Sequence, residues 1–118
     1  MREPGAEMET RDVAGFFAYR VAVGTVLTAQ PNVAARVPAL VLTIDFGPYG
    51  IKTTSAQLTR RYDAAALIGR QVAAVLNFPP KRVAGVRSEV LVLGALPEAG
   101  DVVLLAPDHP VPNGTEVG

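Results

Sequence analysis

The sequence predicts a mainly β protein, a small five-stranded barrel with one helix between its third and fourth strands. Apolar residues make up 49% of the 118 residues but aromatic residues only 6%, so the core must consist mainly of Val, Leu, Ile and Ala, and the branched residues among these favour strands. Glycine and proline divide the chain into short apolar runs, which is typical of a meander. Between these runs, one internal segment has helical spacing.

The first predicted elements are a short helix and a bent strand. Residues 1–12 are polar, and we expect a flexible tail. Asp12 is expected to cap a helix over Val13–Tyr19 by accepting a hydrogen bond from a free backbone N–H. A strand over Arg20–Ala29 follows, and Gly24 in its middle predicts a bulge or a sharp bend.

The middle of the chain predicts two more strands and the helix. Ala39–Phe46 forms the second strand, and the turn Gly47–Gly50 reverses the chain before the short strand Ile51–Thr54. Ser55–Gly69 has apolar residues at helical spacings, and Asp63 is placed to start a helical turn within it.

The remaining strands complete the barrel. Val72–Phe78, Glu89–Leu93 and Val102–Leu105 are predicted strands, with a turn at Pro97–Gly100 before the last one. A proline-rich C-terminal extension, Pro107–Gly118, follows. Five or six short strands with one helix between the third and fourth is the element order of an oligonucleotide/oligosaccharide-binding (OB) barrel. We therefore assign residues 13–118 to one domain.

Charge is segregated along the chain although the formal net charge is zero. From Lys52 to Arg87 there are seven basic residues and one acid, whereas Ser88 and the residues after it include five acids and neither Lys nor Arg. A basic face indicates nucleic-acid binding, and ordinary solvated side chains are the alternative. The basic residues predicted to contact phosphate are Lys52, Arg60, Arg61, Lys81, Arg82 and Arg87, with Arg60 and Arg61 on the helix and Lys81 and Arg82 on a loop.

The composition argues against several other classes. The absence of cysteine excludes disulfides, thiolate catalysis and Cys-based zinc sites. The single histidine, His109, has no motif for a nucleophile beside it, and we interpret Asp108-His109 as a surface turn. No apolar run approaches the roughly 20 residues that span a bilayer, and the N-terminus is unlike a signal peptide. We expect a cytoplasmic, non-catalytic protein without cofactor or metal.

Several segments together resemble the CsaA family. They are Leu42–Gly47 (LTIDFG), Ser55–Thr59 (SAQLT), Asn77–Pro80 (NFPP), Ser88–Gly94 (SEVLVLG), Val102–Pro107 (VVLLAP) and Val111–Gly114 (VPNG). The agreement keeps its order over about residues 16 to 118. The resemblance implies a tRNA-binding-type OB domain, a homodimer and an export-related chaperone that binds unfolded polypeptides.

The resemblance also implies a role for three polar residues. Ser88 and Glu89 stand where such domains have a Ser-Glu pair ahead of an apolar strand, which implies contact with RNA sugar or base edges. A hydroxyl both donates and accepts hydrogen bonds, as a 2′-OH partner requires. Alternatively, Ser88 ends a turn and Glu89 pairs with Arg87 or Arg82. Asn77 has the same two interpretations.

Aromatic side chains have a predicted place in the core or at the surface. Phe46 and Phe78 close apolar strands and are expected in the core, whereas Tyr49 lies in a turn where a base can stack on it. Phe16 and Phe17 need a partner surface, and together with the resemblance they predict a homodimer formed through the helix and the C-terminal extension. The position of a peptide groove is not predicted.

Two functions remain open at this point. The first is a chaperone that holds export-competent or unfolded polypeptides and carries a tRNA-binding domain. The second is a dedicated factor for tRNA or another structured RNA, without chaperone activity. Phosphate contacts weaken steeply with salt and apolar contacts do not, so the two functions differ in an observable property.

Overall fold

The computed structural model describes residues 8–118, and its centre is one antiparallel sheet. In chain order the elements are α1 (Val13–Phe17), β1 (Val21–Pro31), β2 (Leu40–Asp45), a 3₁₀ turn (Gly47–Tyr49), β3 (Ile51–Ala56), α2 (Ala64–Leu67), β4 (Gln71–Val75), β5 (Lys81–Val83), β6 (Val86–Ser88), β7 (Leu91–Val92), β8 (Gly94–Glu98) and β9 (Asp101–Leu104). The sheet order is β3-β2-β1-β4-β7, and β5–β6 and β8–β9 form separate hairpins. This nearly closed, five-stranded barrel confirms the predicted OB fold.

The core lies inside the barrel and is made of the inward-facing side chains of the strands. Burial alternates along β2, where Leu40, Leu42 and Ile44 point inward, as expected for a strand with one buried face. Phe46 follows them and is fully buried, which confirms its predicted place in the core. Leu67 of α2 closes this cluster.

Strand β1 is long enough to pair with two other strands along different parts of its length. Val21–Thr25 pairs with β4, and Thr25–Pro31 pairs with β2. The register shifts between Val26 and Thr28, so the bulge predicted at Gly24 lies further along the strand. Gly24 is needed for packing instead, because a Cβ there would lie 2.6 Å from the Phe46 ring.

The helix predicted over Ser55–Gly69 is wrong in its extent. Ser55 and Ala56 end β3 by pairing with β2, and the helix itself spans only Ala64–Leu67, with Asp63 as its N-cap residue. Leu58 is buried from a turn, not from a helix. Turn and helix both direct apolar side chains into one core, and this produces helical spacing without a continuous helix.

Two strand predictions and one loop prediction also need correction. The strand predicted over Val72–Phe78 ends at Val75, and Phe78 is 40% exposed instead of lying in the core. The strand predicted over Glu89–Leu93 is reduced to Leu91–Val92. The segment predicted as a loop around Lys81 is the β5–β6 hairpin.

The terminal segments add one helix and one extended C-terminal segment to the barrel. Helix α1 ends at Phe17, earlier than predicted, and Asp12 caps it by accepting a hydrogen bond from the Ala14 N–H. The predicted tail extends into residues 1–7, which lie outside the described residues. At the other end, Gly114, Thr115 and Val117 form backbone hydrogen bonds with Val21 and Val23, so the C-terminal segment covers an edge of β1.

Candidate functional site

The β5–β6 hairpin presents two different faces. Its register pairs Lys81 with Ser88, Arg82 with Arg87 and Val83 with Val86. Ala84 and Gly85 connect the strands with φ values of 46° and 81°, the pattern of a two-residue type I′ turn. Since side chains alternate along a strand, the two arginines lie on one face and the two valines on the other.

An apolar groove of about 450 Å³ lies on the valine face of the hairpin. Its walls come from β3, the segment before β5, the hairpin and β7. The residues that line it include Ala56, Leu58, Phe78, Pro79, Val83, Val90, Leu91, Val92 and Val102, with Thr54, Ser55, Gln57, Lys81, Ser88 and Glu89 as polar members. Lys81, Ser88 and Glu89 are therefore brought together, and they border an apolar surface.

Ser88 and Glu89 close the barrel against β3. The Glu89 N–H donates to the Thr53 carbonyl at 2.8 Å, and its carboxylate accepts from the Thr53 N–H at 3.0 Å. The Ser88 and Thr54 hydroxyls share a hydrogen bond of 2.9 Å. The Glu89 carboxylate thus accepts the Thr53 N–H, which would otherwise need a carbonyl of a neighbouring strand. The alternative prediction, that Glu89 pairs with Arg87 or Arg82, is wrong.

Arg60 and Arg61 are neutralised within the fold. They lie in the turn before α2, not on the predicted helix. Arg60 forms an ion pair with Glu98, and both Asp101 carboxylate oxygens accept hydrogen bonds from Arg61. The hydrogen bonds from Arg61 lower the pKa of Asp101, and those to Asp101 raise the pKa of Arg61. Acids of the β8–β9 hairpin therefore pair with two of the side chains that were predicted to contact RNA.

The other four predicted basic residues form no ion pair within residues 8–118. Lys81, Arg82 and Arg87 are exposed on the hairpin. Lys52 is partly buried on β3, opposite Ile44 of β2. The positive charge that remains available is therefore concentrated on the β5–β6 hairpin.

Asn77 connects the barrel to the end of α1. Its side-chain oxygen accepts from the Arg20 N–H at 2.7 Å, and its amide donates to the Ala18 carbonyl at 3.0 Å. Both of these hydrogen bonds join the segment after α1 to the segment after β4. Next to it, Phe78 contacts Tyr19 edge to face with a ring separation of 5.6 Å, so the two aromatic rings extend the apolar surface of the groove.

The groove itself is the feature that sequence reasoning missed. Its lining residues come from three separated stretches, 54–58, 78–92 and 102. The sequence did not predict that Leu91 is exposed, because the apolar run around Leu91 predicts a buried strand. In the structure, Leu91 lies on the two-residue strand β7, is 52% exposed and lines the groove.

Comparison with known proteins identifies the family. The family model described as a putative tRNA binding domain matches residues 21–116. A crystal structure of the chaperone CsaA from Bacillus anthracis strain Ames superposes with a TM-score of 0.90 at 54% identity, covering 93% of this chain and 100% of that chain. The chain belongs to the CsaA family. The resemblance read from the sequence is confirmed.

Two further proteins are similar to this chain. The CsaA chaperone protein from Picrophilus torridus is 36% identical with a TM-score of 0.84, covering 92% of this chain and 100% of that chain. The methionine–tRNA ligase of Methanothrix thermoacetophila is 37% identical over 99 residues, or 84% of this chain. The chain spans only 14% of the length of that ligase. The CsaA-family domain is thus also similar to one part of a much larger enzyme.

The described residues contain neither a candidate metal site nor a helix that could cross a membrane. No group of three or more His, Cys, Asp or Glu side chains is placed to hold a metal ion within residues 8–118. Over the same range, no helix is long and apolar enough to span a bilayer. His109 is exposed and contacts the exposed Asp108 at 3.3 Å. The matching family model is described as a tRNA binding domain and two similar solved structures as CsaA chaperones, so the domain is of a non-enzymatic kind.

Proposed function

We propose that this CsaA-family protein is a non-catalytic, cytoplasmic binding protein that holds unfolded or export-competent polypeptides and also binds tRNA. The observation that carries the proposal is the apolar groove, which lies beside a hairpin whose basic side chains form no ion pair within residues 8–118. Apolar surfaces of this kind mark interaction sites. The description of two similar structures as CsaA chaperones supports the same function.

The groove suits the side chains of an extended polypeptide. Its volume of about 450 Å³ lies within the range of small-molecule pockets, so it accepts one or two apolar side chains. Folded proteins bury such side chains, whereas unfolded chains expose them. Recognition by size and apolarity alone also fits clients of varied sequence.

The Leu91→Gln substitution tests the groove. Leu91 lines it and is 52% exposed, while Leu96 on β8 is 51% exposed and lies outside it. Because burial of a leucine side chain contributes about 1.5–3 kcal/mol, we expect Leu91→Gln to weaken binding of an unfolded, preprotein-like peptide at least about tenfold. Leu96→Gln is the matched control and is expected to bind normally. Equal affinities for both variants would contradict the assignment.

The second candidate is a dedicated tRNA-binding factor without chaperone activity. The match to a tRNA-binding domain favours it. So do Lys81, Arg82 and Arg87, which pair with no acid in the described part of the chain. Titrating labelled total tRNA and the peptide in parallel, at two salt concentrations, separates the candidates. Steeply salt-dependent tRNA binding with negligible peptide binding supports this second function, whereas salt-tolerant peptide binding supports the first.

A further inference from the structure

The β5–β6 hairpin places two arginines directly opposite each other. Arg82 is the register partner of Arg87, and the Cβ atoms of such partners lie about 5 Å apart. Both side chains are exposed and form no ion pair within residues 8–118. Arg82 Nη1 donates to the Gly85 carbonyl at 3.0 Å, and this bond directs the guanidinium along the hairpin toward its loop.

This arrangement lowers the stability of the free hairpin. Like charges directly opposite each other are destabilising, and a two-stranded hairpin has little stability of its own. Four other arginines have an acidic partner, as Arg60 has Glu98. Glu89 is only two residues from Arg87, yet its carboxylate accepts from the Thr53 N–H. Within residues 8–118, these two adjacent guanidinium groups therefore have no anionic partner.

We propose that Arg82 and Arg87 act as a clamp for one phosphate group of an RNA backbone. Each guanidinium presents N–H donors in a planar fork that matches phosphate oxygens, and a bound phosphate also removes the repulsion between the two. The inference rests on the proposed tRNA binding and adds the residues that carry it. Val83 and Ser88 line the groove on the other face, so a phosphate in the clamp leaves the groove open to polypeptide.

The test measures tRNA affinity and thermal stability in the full chain. Arg82→Gln and Arg87→Gln are compared with Arg36→Gln, because Arg36 is an exposed arginine on the β1–β2 loop with no ion pair in the described part of the chain. Each clamp substitution is expected to weaken tRNA binding about tenfold near 0.1 M salt and to reduce the slope of log affinity against log salt by about 1. Arg36→Gln is expected to change both much less. The double variant Arg82→Gln/Arg87→Gln is expected to melt at or above the wild-type temperature.

The outcomes separate the clamp from the tRNA proposal. Wild-type tRNA affinity and salt slope in the double variant would overturn the clamp and leave tRNA binding intact. Absence of tRNA binding by the wild type, combined with stabilisation by inorganic phosphate or pyrophosphate that the double variant loses, would overturn the RNA assignment and indicate a free phosphate ligand. A double variant that melts below Arg36→Gln would show that the arginines stabilise the fold, which contradicts the proposal.

Discussion

Individual side chains decide how much of the positive charge stays available to a ligand. Asp101 is only 5% exposed and receives two hydrogen bonds from Arg61. These hydrogen bonds lower the pKa of Asp101 from its ordinary value of 3.8. The pair therefore stabilises the fold fully above that ordinary value, and the stabilisation is lost as the pH falls through the lower pKa of the folded state.

We expect Asp101→Asn to lower the melting temperature at neutral pH, because Arg61 loses its charged partner. The difference from the wild type should shrink in acid, below the ordinary carboxyl pKa of 3.8, since the wild-type carboxylate becomes protonated there as well. Thermal unfolding followed from pH 7 into acid checks this. Glu98→Gln is the control, because the Arg60–Glu98 pair is exposed on both sides and such pairs contribute little. A pH-independent difference would contradict the assignment.

Gly24→Ala tests the close packing inside the barrel. The added Cβ would lie 2.6 Å from a Phe46 ring carbon and 2.7 Å from Ile44 Cγ2, and both neighbours are fully buried. Overpacking of this kind costs about 1–3 kcal/mol, which denaturant unfolding measures. Gly15→Ala in α1 has open space around the new Cβ and should leave the free energy of unfolding unchanged or slightly higher. Similar values for the two variants would contradict this packing.

Among the elements, α1 depends on the barrel for its position. None of its residues is buried, and the Asn77 side chain links the segment that follows it to the end of β4. Asn77→Ala removes both hydrogen bonds, at about 1 kcal/mol each. We expect faster hydrogen exchange in α1 and unchanged exchange in β1–β4.

The same variant distinguishes the two interpretations of Asn77. If its amide serves only to attach α1, tRNA affinity in Asn77→Ala should stay within about twofold of the wild type. A large loss of tRNA affinity with normal protection of α1 would instead place Asn77 at the RNA. Asn113 is unsuitable as a control, because its side-chain oxygen accepts hydrogen bonds from Thr25 of β1 and Gln71 of β4.

At the scale of the whole molecule, a group of exposed aromatic residues lies on and just after α1, beside Gly118. Phe16 and Phe17 of α1 are exposed, as is Tyr19, and a Cβ built on Gly118 would lie 3.6 Å from Phe17. We propose that this surface is covered by a second copy of the chain, because a symmetric dimer buries the same patch twice.

Sedimentation tests the dimer directly. The expected mass is about twice the 12.4 kDa of one chain at micromolar concentration, because apolar patches of this kind drive association. Phe17→Asp should shift the protein to the monomer, and Leu96→Asp, on the β8–β9 hairpin, should not. A monomeric wild type would overturn the proposal.

The sequence predictions were correct where the structure depends on neighbouring residues and wrong where it depends on distant ones. Strand β2 and the Asp12 cap were predicted correctly because alternation and capping depend on neighbouring residues. The long helix over Ser55–Gly69 was wrong because residues in a turn reach the same core as a helix does. The β5–β6 hairpin was missed because its three-residue strands carry too little periodicity to be recognised.

The sequence by itself determined the OB fold and the family, since the order of short apolar strands and turns is written along the chain. It also showed that basic residues are concentrated between Lys52 and Arg87. Only the tertiary structure decided which of them keep their charge available, because the acids that pair with Arg60 and Arg61 lie 38 and 40 residues further along the chain. It also created the apolar groove, since the walls come from strands that meet only when the barrel closes.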